Sequence, residues 1–424
     1  MPEFLSNLIT PQFVASLITL FVVGNIILMS VAYCILLERK IASWIQNRIG
    51  PNRTGLGLGI FPWKNFHFWG LGQPMADGMK FVFKEDFNPT GVDLKLFRLA
   101  PVLAVVPALL AWAVIPWGGY LAAGSELLGY TLTETTVAIQ GAPLNIGIIY
   151  ILAMGSLAVY GVVIGGYASN NKYSFLGGLR ATAQMISYEI PMATAILIVV
   201  LMVGSIRPDM IILWQTTPTT EAAPWLSSWL IFYHPLLAII FFTCILAECN
   251  RAPFDLAEAE QELVGGFHTE YSSMKFASFF LGEYIHMITG SAFFALLFLG
   301  GWDIPFVKEP VAGGLGWVVL KFAAYAFKVF LIIAVMMWIR WTLPRFRFDQ
   351  LMRLAWRGLI PVTLLMLVGT GLMVFFKASP WWALVVNGVA LAAMIVVGPK
   401  LPSGPPVNRR VGLEGSRFSP PKTV

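Results

Sequence analysis

Cysteine is scarce in this chain. Cys34, Cys244 and Cys249 are the only three in 424 residues, all on apolar segments and none with CxxC or Cys/His ligand spacing. That excludes a disulfide framework and an iron–sulfur or zinc site held by the chain itself, and leaves the three as small core residues. Histidine is nearly as sparse, with four residues, and no second ligand stands at metal-binding spacing from any of them. There is no glycine-rich phosphate loop, no dinucleotide fingerprint and no Ser/His/Asp arrangement, which argues against nucleotide binding, hydride transfer and hydrolysis within this chain. Charge is also low. Asp, Glu, Lys and Arg together make up 12% of the residues, so a soluble domain is disfavoured.

What the chain has in abundance is apolar sequence: 57% of its residues are hydrophobic and its mean hydropathy is +0.74. These values predict an all-α polytopic membrane protein. Runs long enough to cross a bilayer predict eight core transmembrane helices, at Phe13–Leu37, Leu99–Trp117, Leu144–Tyr167, Ala183–Val203, Ile231–Ala247, Phe276–Leu299, Trp317–Ile339 and Leu354–Phe376. A ninth span is expected at Trp381–Val397. The first run continues into Glu38-Arg39-Lys40 rather than a small-residue cleavage site, so it is expected to be retained. A membrane domain over residues 1–376 and a C-terminal extension over 377–424, ending in a cytoplasmic tail with Arg409 and Arg410, follow from this division.

Basic residues set the orientation. Arg39, Lys40, Arg48, Arg53, Lys64, Lys80, Lys84, Lys95 and Arg98 follow the first span, and Arg340, Arg345, Arg347, Arg353 and Arg357 follow the seventh. The alternate connections hold only Arg207, Lys308 and Lys377. The N-terminus is therefore expected outside and the basic loops in the cytoplasm. The net charge of +6 reads as this topogenic signal, not as a nucleic-acid footprint. Amphipathic interfacial helices are expected on the cytoplasmic side within residues 38–97. One carries Ile41, Trp44, Ile45 and Ile49 on a single face and stops at Gly50-Pro51, and another runs from Gln73 to Glu85.

The intramembrane acids carry the functional signal. Glu189, Glu248 and Glu283 fall at similar depth on the fourth, fifth and sixth spans, where a carboxylate needs water, a cation or a proton. Between residues 248 and 275 lies an acidic loop in which Asp255, Glu258 and Glu262 share a helical face while Glu260 points away. Asp255 and Glu258 also fit a capping pattern. Lys328, with Lys321 one heptad earlier, could supply a positive partner. His268 neighbours Glu270, and His286 lies one turn from Glu283; His67 and His234 carry no signal of their own.

In order along the chain stand ERK at Glu38–Lys40, RIGPN at Arg48–Asn52, QPMADGMK at Gln73–Lys80, SYE at Ser187–Glu189, AECNRAPFDLAEAEQELVGGF at Ala247–Phe267 and PRFRFDQLM at Pro344–Met352. With this frame the chain closely resembles one family of respiratory complex I, the proton-translocating NADH:quinone oxidoreductase: the membrane component that joins the peripheral arm to the membrane arm, known in bacteria as the H subunit. The resemblance implies a chamber for a ubiquinone- or menaquinone-type substrate, entered between the first helix, the interfacial helices and the sixth helix. It implies Glu38, Arg39, Arg48, Asp77, Lys80, Glu270, Arg345 and Arg347 around that chamber. Glu189, Glu248, Glu283, Asp255, Glu258, Glu260, Glu262 and Lys328 would form the proton relay.

No cofactor is expected on this chain, with FMN and iron–sulfur clusters in partner subunits. Implied partners are the peripheral-arm quinone-site subunits, small membrane-arm subunits and lipid, in a bacterial cytoplasmic (inner) membrane. The linker Leu58–Gly72, the loops Ala122–Pro143 and Ile206–Ser228 and the tail beyond Trp381 depart from the family pattern by length. Two other readings stay open: the membrane anchor of an energy-converting hydrogenase, and an ion-coupled transporter.

Overall fold

The structure, a computed structural model, describes residues 10–54, 68–127, 130–131, 135–216, 228–257, 260–305, 307 and 310–397. Glu258, most of the 58–72 linker and the tail from 398 onward, with Arg409 and Arg410, lie outside the described residues.

Helix α1 (Pro11–Ile45) begins where the Thr10 hydroxyl accepts the Phe13 N–H and Pro11 presets the backbone. Its length departs from expectation. The sequence predicts a separate interfacial helix from Ile41, but α1 runs unbroken through Glu38, Arg39 and Lys40 to Ile45. Nothing between Leu37 and Ile45 breaks a helix, and the first breakers in the sequence are Gly50 and Pro51. The second amphipathic segment is a helix of its own, α2 (Gln73–Phe83), which packs against α1 and a later span.

Then follow α3 (Leu94–Ala111), capped by the Asp93 carboxylate, and α4 (Gly147–Ala168). Next are α5 (Lys172–Val203), capped by Asn171 and closed by Gly204 at φ +76°, and the short α6 (Pro208–Thr216). After α7 (Pro235–Glu248) come α8 (Ser273–Phe298), α9 (Leu315–Thr342), α10 (Phe348–Phe375) and α11 (Trp382–Val397). Among the described residues seven helices are long and apolar enough to cross a membrane: α1, α3, α4, α5, α8, α9 and α10.

The predicted fifth and ninth spans are shorter helices, α7 with 14 residues and α11 with 16. The fifth is broken because Pro235 has no N–H to continue the ladder from the single turn Leu230–Tyr233, and His234 takes φ −127°, ψ 63° at the joint. α11 packs over that joint. Its Asn387 amide donates to the Tyr233 carbonyl at 3.0 Å and sits 3.1 Å from His234 Nδ1.

At the end of the bundle that holds the α1 N-terminus, β1 (Pro116–Leu121) pairs antiparallel with β2 (Val137–Gln140) and parallel with β3 (Ala312–Gly313). The core centres on α8, the most enclosed span. Phe241 of α7 meets Phe293 and Phe298 of α8 at ring distances of 5.6 and 5.5 Å. Helices α3 and α4 approach closely, and a methyl group on Gly161 would lie 2.6 Å from the Ala104 nitrogen. This tight layer walls one side of the space between the intramembrane acids, to which Ala104 and Ala158 both contribute.

Candidate functional site

Near the α1 C-terminus, five charged or phenolic side chains interlock, Glu38, Arg251 and Tyr284 buried and Glu283 and Arg340 partly so. Glu38 of α1 is buried, and Arg251, in the turn after α7, reaches its Oε2 at 2.8 Å. The Arg251 Nε stands 2.5 Å from Glu283 Oε1 of α8, so one guanidinium bridges two carboxylates from different helices. Arg340 of α9 pairs with the other oxygen of Glu38. The Tyr284 hydroxyl donates to Glu38 at 2.6 Å while its ring lies 4.3 Å from the Arg251 guanidinium carbon. Burying these ions costs hydration, so each depends on the others for compensation. The cluster therefore fixes the relative placement of α1, α8, α9 and the turn after α7.

Around it the acidic loop is held by further pairs. Arg345 donates to Asp255 at 2.8 Å, and Arg180 of α5 pairs with Glu262 at 2.5 Å. Glu270 accepts from the Asn171 amide at 2.6 Å. Burial drives the His268 imidazole in this loop down to about 4. Arg39 pairs with Asp77 of α2 at 2.8 Å, and Gln73 donates to the same carboxylate at 3.1 Å. Arg48 and Lys80 are exposed, and Arg347 begins α10, its backbone N–H donating to Gln350. Only the backbone of Glu260 is described, at the start of a single helical turn.

Behind the charge cluster the three intramembrane acids converge. A cavity of about 50 Å³ is lined by Glu283, Glu248, Asn250 and His286. A second, of about 30 Å³, is lined by Glu248, His286 and Thr289. A third, of about 10 Å³, lies among Glu248, Glu189 and Ser156, whose hydroxyl donates to Glu189. Glu248 and Gly155 line all three. One water needs roughly 10–15 Å³, so the largest cavity has room for a few waters and the smallest for about one. Carboxylates joined through water can exchange protons, and this spacing permits that exchange from Glu283 to Glu189.

Lys328 is not brought to these acids. Its ammonium donates to the carbonyls of Leu299, Gly301 and Asp303 at 2.6, 3.1 and 2.7 Å and lies 4.3 Å from the Trp229 ring centroid. That group is roughly 18 Å along α9 from Arg340, at 1.5 Å per residue. The positive partner of Glu283 is Arg251 instead. In the sequence Arg251 is one residue of a longer motif with no role of its own, and Arg340 is one topogenic charge among several. Their signal is an arginine three residues after an intramembrane acid and another within the last turn of a span.

Beside α1 opens an apolar cleft of about 380 Å³. Ile26, Ser30 and Leu37 of α1 face Phe322, Val329 and Ile333 of α9 across it, with Ile288 of α8 inside and Lys40, Trp44 and Trp69 at one end. The cleft is lined mainly by α1 and α9, with only Ile288 from α8, whose face turns toward Glu38 and the core.

Residues 18–371 match the family model described as NADH dehydrogenase. The chain is 43% identical over 344 residues to the H 1 subunit of NADH-quinone oxidoreductase from Cytophaga hutchinsonii, covering 81% of this chain and 92% of that one. It is 44% identical over 367 residues to the H subunit of NADH-quinone oxidoreductase from Leptospira biflexa serovar Patoc, with coverage of 84% and 94%. A third relative, the H 1 subunit of NADH-quinone oxidoreductase from Geobacter sulfurreducens, is 44% identical over 357 residues, covering 83% and 92%. Helix α11 lies beyond the matched residues, whereas the charge cluster and the three cavities lie within them. On a match of this extent, the chain belongs to the NADH dehydrogenase family.

Proposed function

We propose that this chain is the membrane subunit of a proton-pumping NADH:quinone oxidoreductase that forms the quinone chamber with the soluble arm and passes the effect of quinone reduction to a line of buried acids. The observation that carries this reading is the position of Glu248, which shares one cavity with Glu283 and another with Glu189. Quinone is the substrate; its electrons come from clusters in neighbouring subunits. The apolar cleft suits a long isoprenoid tail, with Lys40, Trp44 and Trp69 at its polar end. The headgroup would lie toward Glu38 and the Arg39–Asp77 pair, with Arg48 and Lys80 on the face offered to the soluble arm. The loop acids Asp255 and Glu262, each held by an arginine, would extend the acid line toward the chamber, which Glu270 would brace.

Reduction of a quinone to a quinol takes up two protons and places negative charge in a low-dielectric cavity. That charge acts first on the Glu38–Arg251–Glu283 bridge. A guanidinium shared between two carboxylates is a balanced arrangement. Drawing Arg251 toward a charge on the quinone side weakens its hold on Glu283 and favours protonation there, and Glu248 and Glu189 follow through water. Lys328 stands apart from this line, on the side of Asp303, whose carbonyl accepts its ammonium. The relatives' bacterial origin favours a bacterial cytoplasmic membrane, and the distribution of basic residues favours an N-terminus on the periplasmic side. Small membrane-arm subunits would flank the acid line.

Reconstituted complexes carrying Glu248→Gln or Glu283→Gln test the reading. Quinone-driven proton translocation is expected to be abolished while the complex still assembles. If both variants pump at normal proton yield, the assigned route is wrong. Photolabelling of residues 38–84 by a quinone-site inhibitor separates this reading from a hydrogenase anchor, for which no such labelling is expected.

A further inference from the structure

The line of acids contains one titratable group that the proposed proton route does not use. His286 lies one turn beyond Glu283 on α8, and its ring lines both the 50 Å³ and the 30 Å³ cavities together with Glu248. Its Nε2 is buried without a protein hydrogen-bond partner, as is the Thr289 hydroxyl one turn further along. A buried polar atom in that situation loses on the order of 1–3 kcal/mol unless water reaches it, and the adjoining cavities are large enough for water. The charged groups facing the ring are Glu283 from its own helix and Glu248 from α7. Arg251, from the turn after α7, acts through Glu283, and the Cys249 thiol borders the larger cavity. No charged group from α4 lines either cavity; α4 contributes Gly155, Ala158 and Val159 to the larger one.

We propose that His286 is a proton carrier at the junction of these two cavities, and that the deeper cavity with Thr289 is a water-filled branch of the relay. In the step, one ring nitrogen accepts a proton from water on the Glu283 side, giving an imidazolium, and the other nitrogen then releases its proton to water beside Glu248. The imidazole ends in its opposite tautomer, no net charge is left, and ring reorientation restores the start. The inference rests on the proposed proton route and adds a carrier to it.

The test uses the intact complex in proteoliposomes with His286→Asn, which keeps a hydrogen-bonding amide of similar size but carries no proton. The expected result is a several-fold slower coupled turnover whose pH profile has lost one ionisation. A residue serving only to pack or hydrogen-bond would leave the shape of that profile unchanged in H286N, and such a result would overturn the proposal. His286→Gln supplies the same readout in a second side chain. Infrared difference spectra of the unsubstituted complex, isotopically labelled at histidine, address the claim without any substitution. Quinone reduction is expected to change an imidazole band, and an unchanged band would overturn it. Glu248→Gln run alongside keeps the two claims apart: if E248Q is blocked and H286N is not, the histidine falls and the acid route stands. If E248Q and E283Q both pump normally, the route itself falls.

Discussion

Gly155 offers the sharpest structural test of the acid line, because it borders all three cavities and has no side chain. A methyl group built on it would lie 2.7 Å from Glu248 Oε1, with no other atom closer than Glu248 Cδ at 4.0 Å. The clash is thus with the free end of one flexible side chain, which can swing aside. Gly155→Ala should therefore cost little stability. Within a helix the change is worth roughly 1 kcal/mol in favour of alanine, which offsets about the same amount of crowding. The cavity between Glu248 and Glu189 has about 10 Å³, the minimum for one water, and the methyl would take that space or push the carboxylate into it. Thermal melting of the G155A complex should stay near that of the parent, while protons moved per NADH oxidised in proteoliposomes should fall sharply. Gly371→Ala is the control, since a methyl there meets nothing within 4 Å. A G155A complex with normal proton yield would refute the claim that these cavities carry the proton.

Replacing Arg251 by Met should leave Glu38 and Glu283 buried without their shared partner, a loss of about 3–5 kcal/mol, seen as failed assembly or a large drop in Tm. Adding Glu283→Gln to that variant should recover part of the loss. Asn387→Leu should leave the Tyr233 carbonyl and His234 with one hydrogen bond fewer and destabilise the joint before α7 by about 1–3 kcal/mol, read from thermal unfolding in detergent. The His268 imidazole titrates near 4 in the fold against an ordinary 6.5, so the unfolded chain binds the extra proton between those values. Its contribution to stability is full above pH 6.5 and is lost as pH falls toward 4, by roughly 3 kcal/mol at most. His268→Gln should flatten the pH dependence of unfolding in that window.

Much of the frame can be read from the sequence because hydropathy acts locally. A run such as Ser273–Phe298 must become a helix whatever its neighbours do, whereas α3 and α5 begin at Leu94 and Lys172, ahead of the apolar runs expected from Leu99 and Ala183, because the caps at Asp93 and Asn171 start polar turns that hydropathy does not mark. The acids are legible for a related reason: an ionisable residue deep in an apolar helix is costly anywhere, so Glu189, Glu248 and Glu283 stand out one by one. Their counter-ions do not. Arg251 reaches Glu38 and Glu283 only once α1, α8 and the turn after α7 have packed, and no spacing along the chain encodes that meeting. Lys328 misleads for the same reason, since its depth on α9 says nothing about whether carboxylates or backbone carbonyls lie opposite. The continuation of α1 through Ile45 is hidden because an amphipathic repeat looks alike on a separate surface helix and on the last turns of a spanning one.

The most direct measurement of the central claim is a cryo-electron microscopy map of the intact complex, sharp enough to show ordered water between Glu283 and Glu189. The account predicts water in each of the three cavities, within hydrogen-bonding distance of Glu248 on both sides and of His286 between them. Dry cavities, or side chains filling the space between Glu248 and either of the other acids, would contradict it.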